Sequence, residues 1–193
     1  MADAVEIIQC MVVGLWLFIP AMLPNSQAAL VGKWGKTKID FGRTWRGKRI
    51  FGDGKSWLGL FFGIISGIII GFIQLGISWF DDPAGFWGFG PFWSNAGIIV
   101  CLSTGALLGD LCGAFIKRRL GLERGHKVPV LDQYDFVAGS MILTAIFFPN
   151  FIWSTYFEGY HIAAFIFLLV ATYATHRAVN IIGYKMGVKD EPW

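Results

Sequence analysis

The sequence has few charged residues. Only 15% of its 193 residues are Asp, Glu, Lys or Arg, against roughly a quarter in soluble domains. With a hydrophobic fraction of 55% and a mean hydropathy of +0.57, this scarcity excludes a disordered chain and argues strongly against an ordinary soluble domain. The 18 Phe and 9 Trp residues suit a lipid-facing surface with aromatic belts at its edges.

Cysteine and histidine are also scarce. The three cysteines, Cys10, Cys101 and Cys112, lie in apolar segments, and their spacing fits neither a zinc site nor a disulfide framework. The three histidines are isolated from one another, so we expect structural roles for them and no Ser-His catalytic pair. No basic residue precedes the first apolar run, which argues against a cleavable signal peptide.

Long apolar segments predict an all-α, polytopic membrane protein that forms a single domain over residues 1–193. A membrane-spanning helix needs about 20 mainly apolar residues. Pro20 and Pro24 are expected to break the first span, because proline removes a helical hydrogen-bond donor. The five predicted spans are Ile7–Leu30, Trp57–Trp79, Ser94–Ile116, Tyr134–Tyr156 and Tyr160–Ile182, and the two long loops are 31–56 and 117–133.

The basic residues are distributed on one side of these spans. Of the 16 Lys and Arg residues, eight lie in residues 31–56, five in residues 117–133 and three near the C-terminus. By the positive-inside rule, both long loops and the C-terminus face the cytoplasm and the N-terminus faces outside. Because the basic residues belong to loops that flank the membrane, we expect no nucleic-acid binding. The segments expected outside carry only the acids Asp3, Glu6, Asp81, Asp82 and Glu158.

Glycines recur at every fourth position in two spans. This spacing keeps small residues near one helix face and allows helix backbones to approach closely. The glycines therefore predict tight helix packing, either within a monomer or across a dimer, and leave the oligomeric state open. They are Gly59, Gly63, Gly67 and Gly71 in the second span, and Gly105, Gly109 and Gly113 in the third.

Asp110 lies inside the third predicted span. A carboxylate there costs about 2.5–3.5 kcal/mol on insertion scales, so such a residue is a candidate for function. Neutralisation by pairing with an arginine of a loop is the structural alternative. Lys117 follows two helical turns later and shares a helix face with Asp110 and Gly113.

Two further acids, Asp132 and Asp135, open the fourth predicted span. Their i,i+3 spacing places both carboxylates on one helix face. Asp132 alone could be an ordinary N-cap, but capping does not explain Asp135. With Asp110 they form a group of three acids at the cytoplasmic edge. Oxygen ligands without a histidine pattern favour Mg²⁺ over zinc, and one or two ions are both compatible with three carboxylates.

The two basic loops suit a polyanionic substrate, although binding to anionic lipid head groups would explain them as well. Residues 47–56 end in Gly54-Lys55-Ser56, which resembles a phosphate loop. The first glycine of that pattern is absent and no strand precedes it, so the segment is not a P-loop. Its glycine amides and Lys55 can still wrap a phosphate.

Acidic residues that can bind Mg²⁺ and basic residues that can bind phosphates lie together at a membrane edge. This combination predicts phosphoryl or nucleotidyl transfer onto a lipid. A lipid phosphate is largely dianionic near pH 7, so it needs no general base. Two alternatives remain at this point: a CTP-dependent lipid kinase, and a small cation channel or transporter.

Several motifs resemble the CDP-archaeol synthase family over nearly the whole chain. Pro24-Asn25 in the first span fits the same family, and the Asp-x-x-Asp element is also similar to the signature region of CDP-diacylglycerol synthases. The runs that carry the resemblance are Asp40-Phe41-Gly42, Ile50 to Trp57, Gly109-Asp110-Leu111 through Phe115 to Arg119, and Leu131-Asp132-Gln133-Tyr134-Asp135-Phe136.

The resemblance implies that CTP and an unsaturated archaetidic acid, an isoprenoid ether-lipid phosphate, give CDP-archaeol and pyrophosphate with Mg²⁺ as cofactor. The choices of CTP and of an ether lipid depend on this resemblance alone. Two positions depart from the family pattern: Ala114 replaces an expected serine and Ser56 an expected threonine. Ser56 keeps the hydroxyl, whereas Ala114 lacks one.

We therefore predict a role for each candidate residue. Asp110, Asp132 and Asp135 hold Mg²⁺ on the CTP phosphates. Lys117, Arg118 and Arg119 neutralise charge at the α-phosphate and on pyrophosphate. The remaining candidates bind substrate: Lys55 with Gly52 and Gly54 clamps the nucleotide or the lipid phosphate, Asp53 contacts the ribose or orients Lys55, and Asn25 assists from the broken first helix.

Overall fold

The structure, a computed structural model, describes residues 3–81, 87–122, 126 and 128–185. Helices account for most of these residues, and five of them are long and apolar enough to cross a membrane. This confirms the predicted all-α, five-span architecture. Part of the predicted charge distribution, namely Asp82, Arg124, Lys127 and Lys189, lies outside the described residues.

The first span consists of two helices, α1 (Ala4–Met22) and α2 (Pro24–Gly32). The Asp3 side chain and Glu6 form a capping box that starts α1. Pro20 is accommodated within α1, and the break comes at Leu23 because Pro24 begins α2. The predicted break is therefore confirmed at Pro24 but not at Pro20.

Three long helices follow. They are α3 (Trp57–Asp81), α4 (Phe92–Arg119) and α5 (Pro129–Phe147). The fourth span was predicted to begin at Tyr134, but α5 begins at Pro129, whose ring suits the first helical position. The prediction also ran past Phe147, where α5 ends.

The end of the fourth predicted span is a separate short helix. Pro149 starts α6 (Pro149–Tyr156), and a 3₁₀ turn at Gly159–His161 leads into α7 (Ile162–Lys185). The break at Pro149 departs from the predicted fourth span, which runs on to Tyr156 because the residues on both sides of Pro149 are apolar.

Glycines fit the helices together as predicted. A Cβ atom added at Gly67 would meet the Pro20 carbonyl oxygen at 2.6 Å, and one at Gly63 would meet the Pro24 carbonyl oxygen at 2.8 Å. On α4, Gly105 faces the backbone of Gly139 and Ser140 on α5 in the same way. The α4–α5 pair has the most extensive contact in the bundle, and this pair carries the three candidate acids.

Candidate functional site at one end of the bundle

The candidate site lies where α2 and α4 end and α3 and α5 begin, which we call the loop end. Residues 33–56 cover it and include a small antiparallel hairpin of β1 (Thr44–Trp45) and β2 (Lys48–Arg49). Arg46 and Gly47 have φ angles of 53° and 75°, and positive φ at both central residues is what a type I′ hairpin turn requires.

Asp40 organises this loop. Its buried carboxylate pairs with Arg49 at 2.6 Å and accepts backbone hydrogen bonds from Gly42, Phe51 and Gly52 at 3.1–3.2 Å. Burial disfavours the charge, but Arg49 and the three N–H groups together outweigh that penalty and hold the pKa of Asp40 well below its usual range. Asp40 belongs to the Asp40-Phe41-Gly42 motif, which by itself predicts no role for this carboxylate.

Arg119 attaches the loop to the end of α4. Its guanidinium donates to the carbonyl oxygens of Trp45 at 2.5 Å, Lys48 at 3.2 Å and Arg49 at 2.7 Å. It also lies over the rings of Trp45 and Phe115. Three carbonyl acceptors engage this guanidinium, so the structure shows Arg119 holding the hairpin in place.

Lys55 reaches from the loop to the third span. Its ammonium forms an ion pair with Asp110 on α4. Asp110 is therefore paired with a loop cation, but this cation is a lysine and not the arginine that the structural alternative named. Lys55, Gly54 and Asp110 line a cavity of about 150 Å³, and Asn25 of the broken first span lines it as well. Residues from three distant parts of the chain therefore meet at one cavity.

The hydroxyl of Ser56 stabilises the start of α3 beside this cavity. It accepts the Gly59 N–H at 3.2 Å and donates to the Gly32 carbonyl at 3.1 Å. The Ser56 hydroxyl thus joins the end of α2 to the beginning of α3, and a threonine at this position would have the same group.

Lys117 pairs across α4 and α5 with Asp132, at 2.6 Å. The second oxygen of Asp132 accepts the Val128 N–H at 3.0 Å, where Val128 is the N-cap of α5. Asp132 is therefore not the N-cap itself, although its side chain does satisfy a backbone donor at the helix start. The side chains of this pair are about one-quarter exposed, at 22% for Lys117 and 26% for Asp132.

Asp135 is enclosed between α5 and α4. Its carboxylate accepts the Phe136 N–H at 2.7 Å and occupies the space that a side chain at Gly113 would need. Asp110, Lys55 and Asp132 all act on it electrostatically. The glycine predicted to allow close helix packing thus makes room for a candidate catalytic carboxylate.

The three candidate acids, Asp110, Asp132 and Asp135, offer only oxygen donors to a cation. Among the described residues, no set of three His, Cys, Asp or Glu side chains stands close enough to hold one ion. Mg²⁺, however, is usually bound through one or two carboxylates, with substrate phosphates and water as its other ligands. Two carboxylates of the three, together with a nucleotide, therefore fit Mg²⁺ in donor chemistry.

The other predicted binding residues differ in their surroundings. Arg118 donates to the Leu122 carbonyl, and its guanidinium lies beside Gly52, which has a φ of 91°. The buried Nε of Arg118 has no hydrogen-bond partner among the described residues. Asp53 is exposed and pairs with Arg49 at 2.6 Å, whereas the carboxylate bound to Lys55 is that of Asp110.

Comparisons with known proteins show the family to which the chain is similar. The family model for CarS-like proteins, CDP-archaeol synthase, matches residues 7–193. A CDP-archaeol synthase of Methanoculleus marisnigri is 43% identical over an alignment of 182 residues, and the match covers 91% of this chain and 99% of the relative. One of Methanosphaerula palustris is 45% identical over 176 residues, with the same shares covered.

A solved structure is also similar. It is described as an intramembrane enzyme for archaeal membrane lipids biosynthesis, and it aligns with a TM-score of 0.67 at 28% identity. The alignment covers 89% of this chain and 94% of that one.

Proposed function

Since the chain belongs to the CDP-archaeol synthase family, we propose that its loop-end site transfers CMP from CTP to an isoprenoid ether-lipid phosphate. The protein is a cytidylyltransferase that forms CDP-archaeol in archaeal lipid biosynthesis. This identity replaces the kinase and channel alternatives.

The proposed lipid is 2,3-bis-O-geranylgeranylglycerol 1-phosphate. An oxygen of its phosphate attacks the α-phosphorus of CTP and forms a new P–O bond. The bond from the α-phosphorus to the bridging oxygen of the β-phosphate breaks, and pyrophosphate leaves with the electron pair. The attacking phosphate is largely dianionic near pH 7, so no side chain has to remove a proton.

The observation that supports this assignment best is the Lys55–Asp110 pair at the wall of the cavity. It places a loop cation, a carboxylate of a spanning helix and the amide groups around Gly54 beside one another. Phosphoryl-type transfer depends mainly on positioning and on neutralising phosphate charge. These groups meet both needs, because the loop supplies the cation and the helix holds it in place.

Each charged residue then has a task at the phosphates. Lys55 binds a phosphate oxygen at the cavity, and Lys117 and Arg118 neutralise charge on the α-phosphate and the departing pyrophosphate. Arg119 contributes by fixing the hairpin through the three carbonyls it binds. Asn25 binds substrate where the cavity meets the first span.

Mg²⁺ would supply further neutralisation of the phosphate oxygens, and two of the three carboxylates of Asp110, Asp132 and Asp135 would hold it together with the nucleotide. Asp110 and Asp132 each hold a lysine in this structure, so they also orient the two ammonium groups. Asp135, which packs against Gly113, adds a third carboxylate that interacts electrostatically with Asp110, Lys55 and Asp132.

The location of the protein follows from its spans. It is a multi-pass membrane protein, and we propose that the loop end faces the cytoplasm because the basic residues flank it. CTP and pyrophosphate would then enter and leave from the cytoplasm.

The experiment uses purified protein with Mg²⁺, the lipid phosphate and CTP labelled at either the α- or the γ-phosphate. Transfer of CMP places the α label on the lipid and the γ label in pyrophosphate. A γ label on the lipid, with release of CDP, would contradict the proposed reaction.

Isosteric variants test the carboxylates in the same assay. Asp132→Asn and Asp135→Asn are expected to lower turnover by at least about 100-fold while the protein stays inserted and folded, because loss of transition-state charge stabilisation has effects of that order. Glu158→Gln, an exposed acid at the opposite end of the bundle, serves as the control and should keep full activity. Near-normal turnover in either aspartate variant would refute the metal-binding role.

A further inference from the structure

Both prolines of the first span remove a hydrogen-bond donor from its backbone. In an α-helix each N–H donates to the carbonyl four residues earlier, and proline has no N–H. Pro20 therefore supplies no donor to the Trp16 carbonyl, and Pro24 supplies none to the Pro20 carbonyl. An unsatisfied carbonyl is costly inside a bilayer, so proline is tolerated in a spanning helix where its neighbours supply the missing donor.

Gln74 of α3 supplies the donor for the Trp16 carbonyl. Its Nε2 donates to that oxygen at 2.7 Å, and the side chain is only 4% exposed. The other end of the amide, Oε1, is buried and has no hydrogen-bond partner among the described residues. Burying half of an amide unsatisfied costs free energy, so the bond to the Trp16 carbonyl is what accounts for a glutamine at this position.

Ser103 of α4 lies beside the other carbonyl that lacks a helical donor. Its hydroxyl is 3.3 Å from the Pro20 carbonyl oxygen and 2.8 Å from the Ile99 carbonyl oxygen of its own helix. A hydroxyl has one proton to donate, so these two carbonyls share it. The bond from Gln74 is the shorter of the two contacts to the proline-freed carbonyls and is not shared.

The contact between the first span and α3 continues from Trp16 to the loop end. The Ser56 hydroxyl donates to the Gly32 carbonyl, and the carbonyl oxygens between these two ends lie 2.6–2.8 Å from the position that a Cβ atom would take on an α3 glycine. Carbonyls that recur every fourth residue form one stripe along the span, and α3 packs against this stripe. The intermediate contacts are Pro20 with Gly67, Pro24 with Gly63, and Ala28 with Gly59.

Asn25 and Lys55 reach the loop-end cavity from the two sides of this contact. Asn25 lies on α2, Lys55 precedes the start of α3 by two residues, and both line the cavity. The position of the first span on α3 therefore determines where the Asn25 amide stands relative to the Lys55 ammonium.

We propose that Gln74 is a positioning residue for the reaction. By satisfying the carbonyl that Pro20 leaves without its helical donor, Gln74 keeps the broken first span packed against α3 and holds Asn25 at the cavity. Without this amide, the unsatisfied Trp16 carbonyl drives the span to move toward another donor, and Asn25 moves with it. The inference rests on the proposed function, because it takes Asn25 and the cavity as part of the transfer site.

Gln74→Met removes the donor at nearly constant shape. We expect kcat/KM for CDP-lipid synthesis to fall about fivefold, as for loss of one hydrogen bond. Pro20→Ala gives the Trp16 carbonyl a backbone donor, so the same Gln74→Met substitution should have little effect in that background. An equal loss of activity in both backgrounds would overturn the proposal, because Gln74 would then act by packing alone.

Ser78→Ala is the matched control for these variants. Ser78 is also a buried polar residue of α3, but its hydroxyl donates to the Leu75 carbonyl of its own helix. Its substitution should leave kcat/KM unchanged with either residue at position 20. A fall as large as that of Gln74→Met would overturn the proposal, since any buried polar group of α3 would then have the same effect.

Asn25→Ala tests whether Gln74 acts through Asn25. Substitutions that act through one shared group are not additive, so Gln74→Met should cause little further loss of kcat/KM in the Asn25→Ala protein. If the two losses multiply instead, Gln74 does not act through Asn25 and the proposal is overturned.

Spin-label distances test the packing of the span without any substrate. Nitroxide labels at Leu30→Cys on α2 and Ile69→Cys on α3, both exposed, report this packing in lipid nanodiscs once the three native cysteines are replaced. Gln74→Met should shift or broaden the distance distribution, and Pro20→Ala should restore it. An unchanged distribution in Gln74→Met overturns the inference even if the protein makes CDP-lipid. The expected shift and restoration, in a protein that makes no CDP-lipid, would instead overturn the proposed function.

Discussion

At the scale of single residues, the site depends on acids that hold cations in place. Asp110 fixes Lys55, Asp132 fixes Lys117, and Asp40 fixes Arg49. The first two pairs lie at the proposed phosphate positions. The third lies within the loop that covers them, so its role is to hold the loop in shape.

Asp40→Asn tests this supporting role. The substitution removes the negative charge that pairs with Arg49 and replaces one of the two acceptor oxygens by an NH2 donor, and losing one partner of a buried pair typically costs about 3–5 kcal/mol. We expect faster hydrogen exchange across residues 38–55 and a raised KM for CTP, with the spanning helices unaffected. Asp53→Asn removes the exposed partner of the same arginine. The free energy of local opening measured by hydrogen exchange should therefore fall by less than about 1 kcal/mol. Equal exchange in wild type and Asp40→Asn would contradict the assignment.

The pH dependence of the loop has a definite sign. The folded pKa of Asp40 lies below its usual value, so its contribution to stability is complete above about pH 4, the unfolded pKa, and falls as the pH drops through the folded pKa. Loop protection should therefore be unchanged between pH 7 and pH 5 and should decline only in stronger acid.

These pairings also mark the limit of sequence reasoning at the residue scale. Asp110 is a candidate because a charge inside a membrane span is costly and therefore conspicuous, whereas the Gly-Lys-Ser segment indicates Lys55 and the i,i+3 spacing to Asp135 indicates Asp132. Their partners were not predicted, since Lys55 and Asp110 are 55 positions apart and meet only through the fold of the loop. Asp40 was missed because a loop aspartate carries no such signal.

At the scale of elements, the contact between α4 and α5 sets the position of Asp135. A Cβ atom at Gly109 would collide with the backbone carbonyl of Asp135, whereas one at Gly113 would meet its carboxylate. The first collision involves a backbone that cannot move, and the second involves the end of a side chain that can. Substitution of the two glycines should therefore have different effects.

Gly113→Ala is expected to displace the carboxylate, lowering turnover at least about tenfold with little loss of thermal stability. Gly109→Ala should destabilise the bundle by about 1–3 kcal/mol, as overpacking does, and reduce the yield of folded protein. Gly76→Ala on α3 has open space around the new Cβ atom and serves as the control for both. Thermal unfolding and turnover of the three variants together would show whether stability and activity separate as expected.

The elements were predicted more completely than the pairings, for a physical reason. Hydrophobic length and small-residue spacing are properties of a continuous segment, so five spans and both glycine faces could be read from the sequence. The break at Pro149 was missed because apolar residues surround it, and the two-residue strands of the loop hairpin are too short to produce a periodic pattern.

At the scale of the whole molecule, the basic residues and the proposed site of the reaction lie at the same end of the bundle. The residues with basic side chains flank the loop end, while Asp3, Glu6 and Glu158 lie toward the other end. Transfer of the basic loops across a membrane is disfavoured, so the same residues that would bind phosphates also set the orientation. A nucleotide site at this end is therefore predicted to face the compartment that contains CTP.

Single-cysteine labelling tests that orientation. With the three native cysteines replaced, Thr37→Cys in the first basic loop and Glu158→Cys at the opposite end each provide one exposed thiol. A membrane-impermeant maleimide should label Glu158→Cys but not Thr37→Cys in right-side-out vesicles, and the reverse in inverted vesicles. Full CDP-lipid synthesis by each variant confirms that the labelled protein is correctly folded. Labelling of Thr37→Cys from the outside would contradict the orientation, because the basic loops and the CTP site would then face a compartment without the nucleotide.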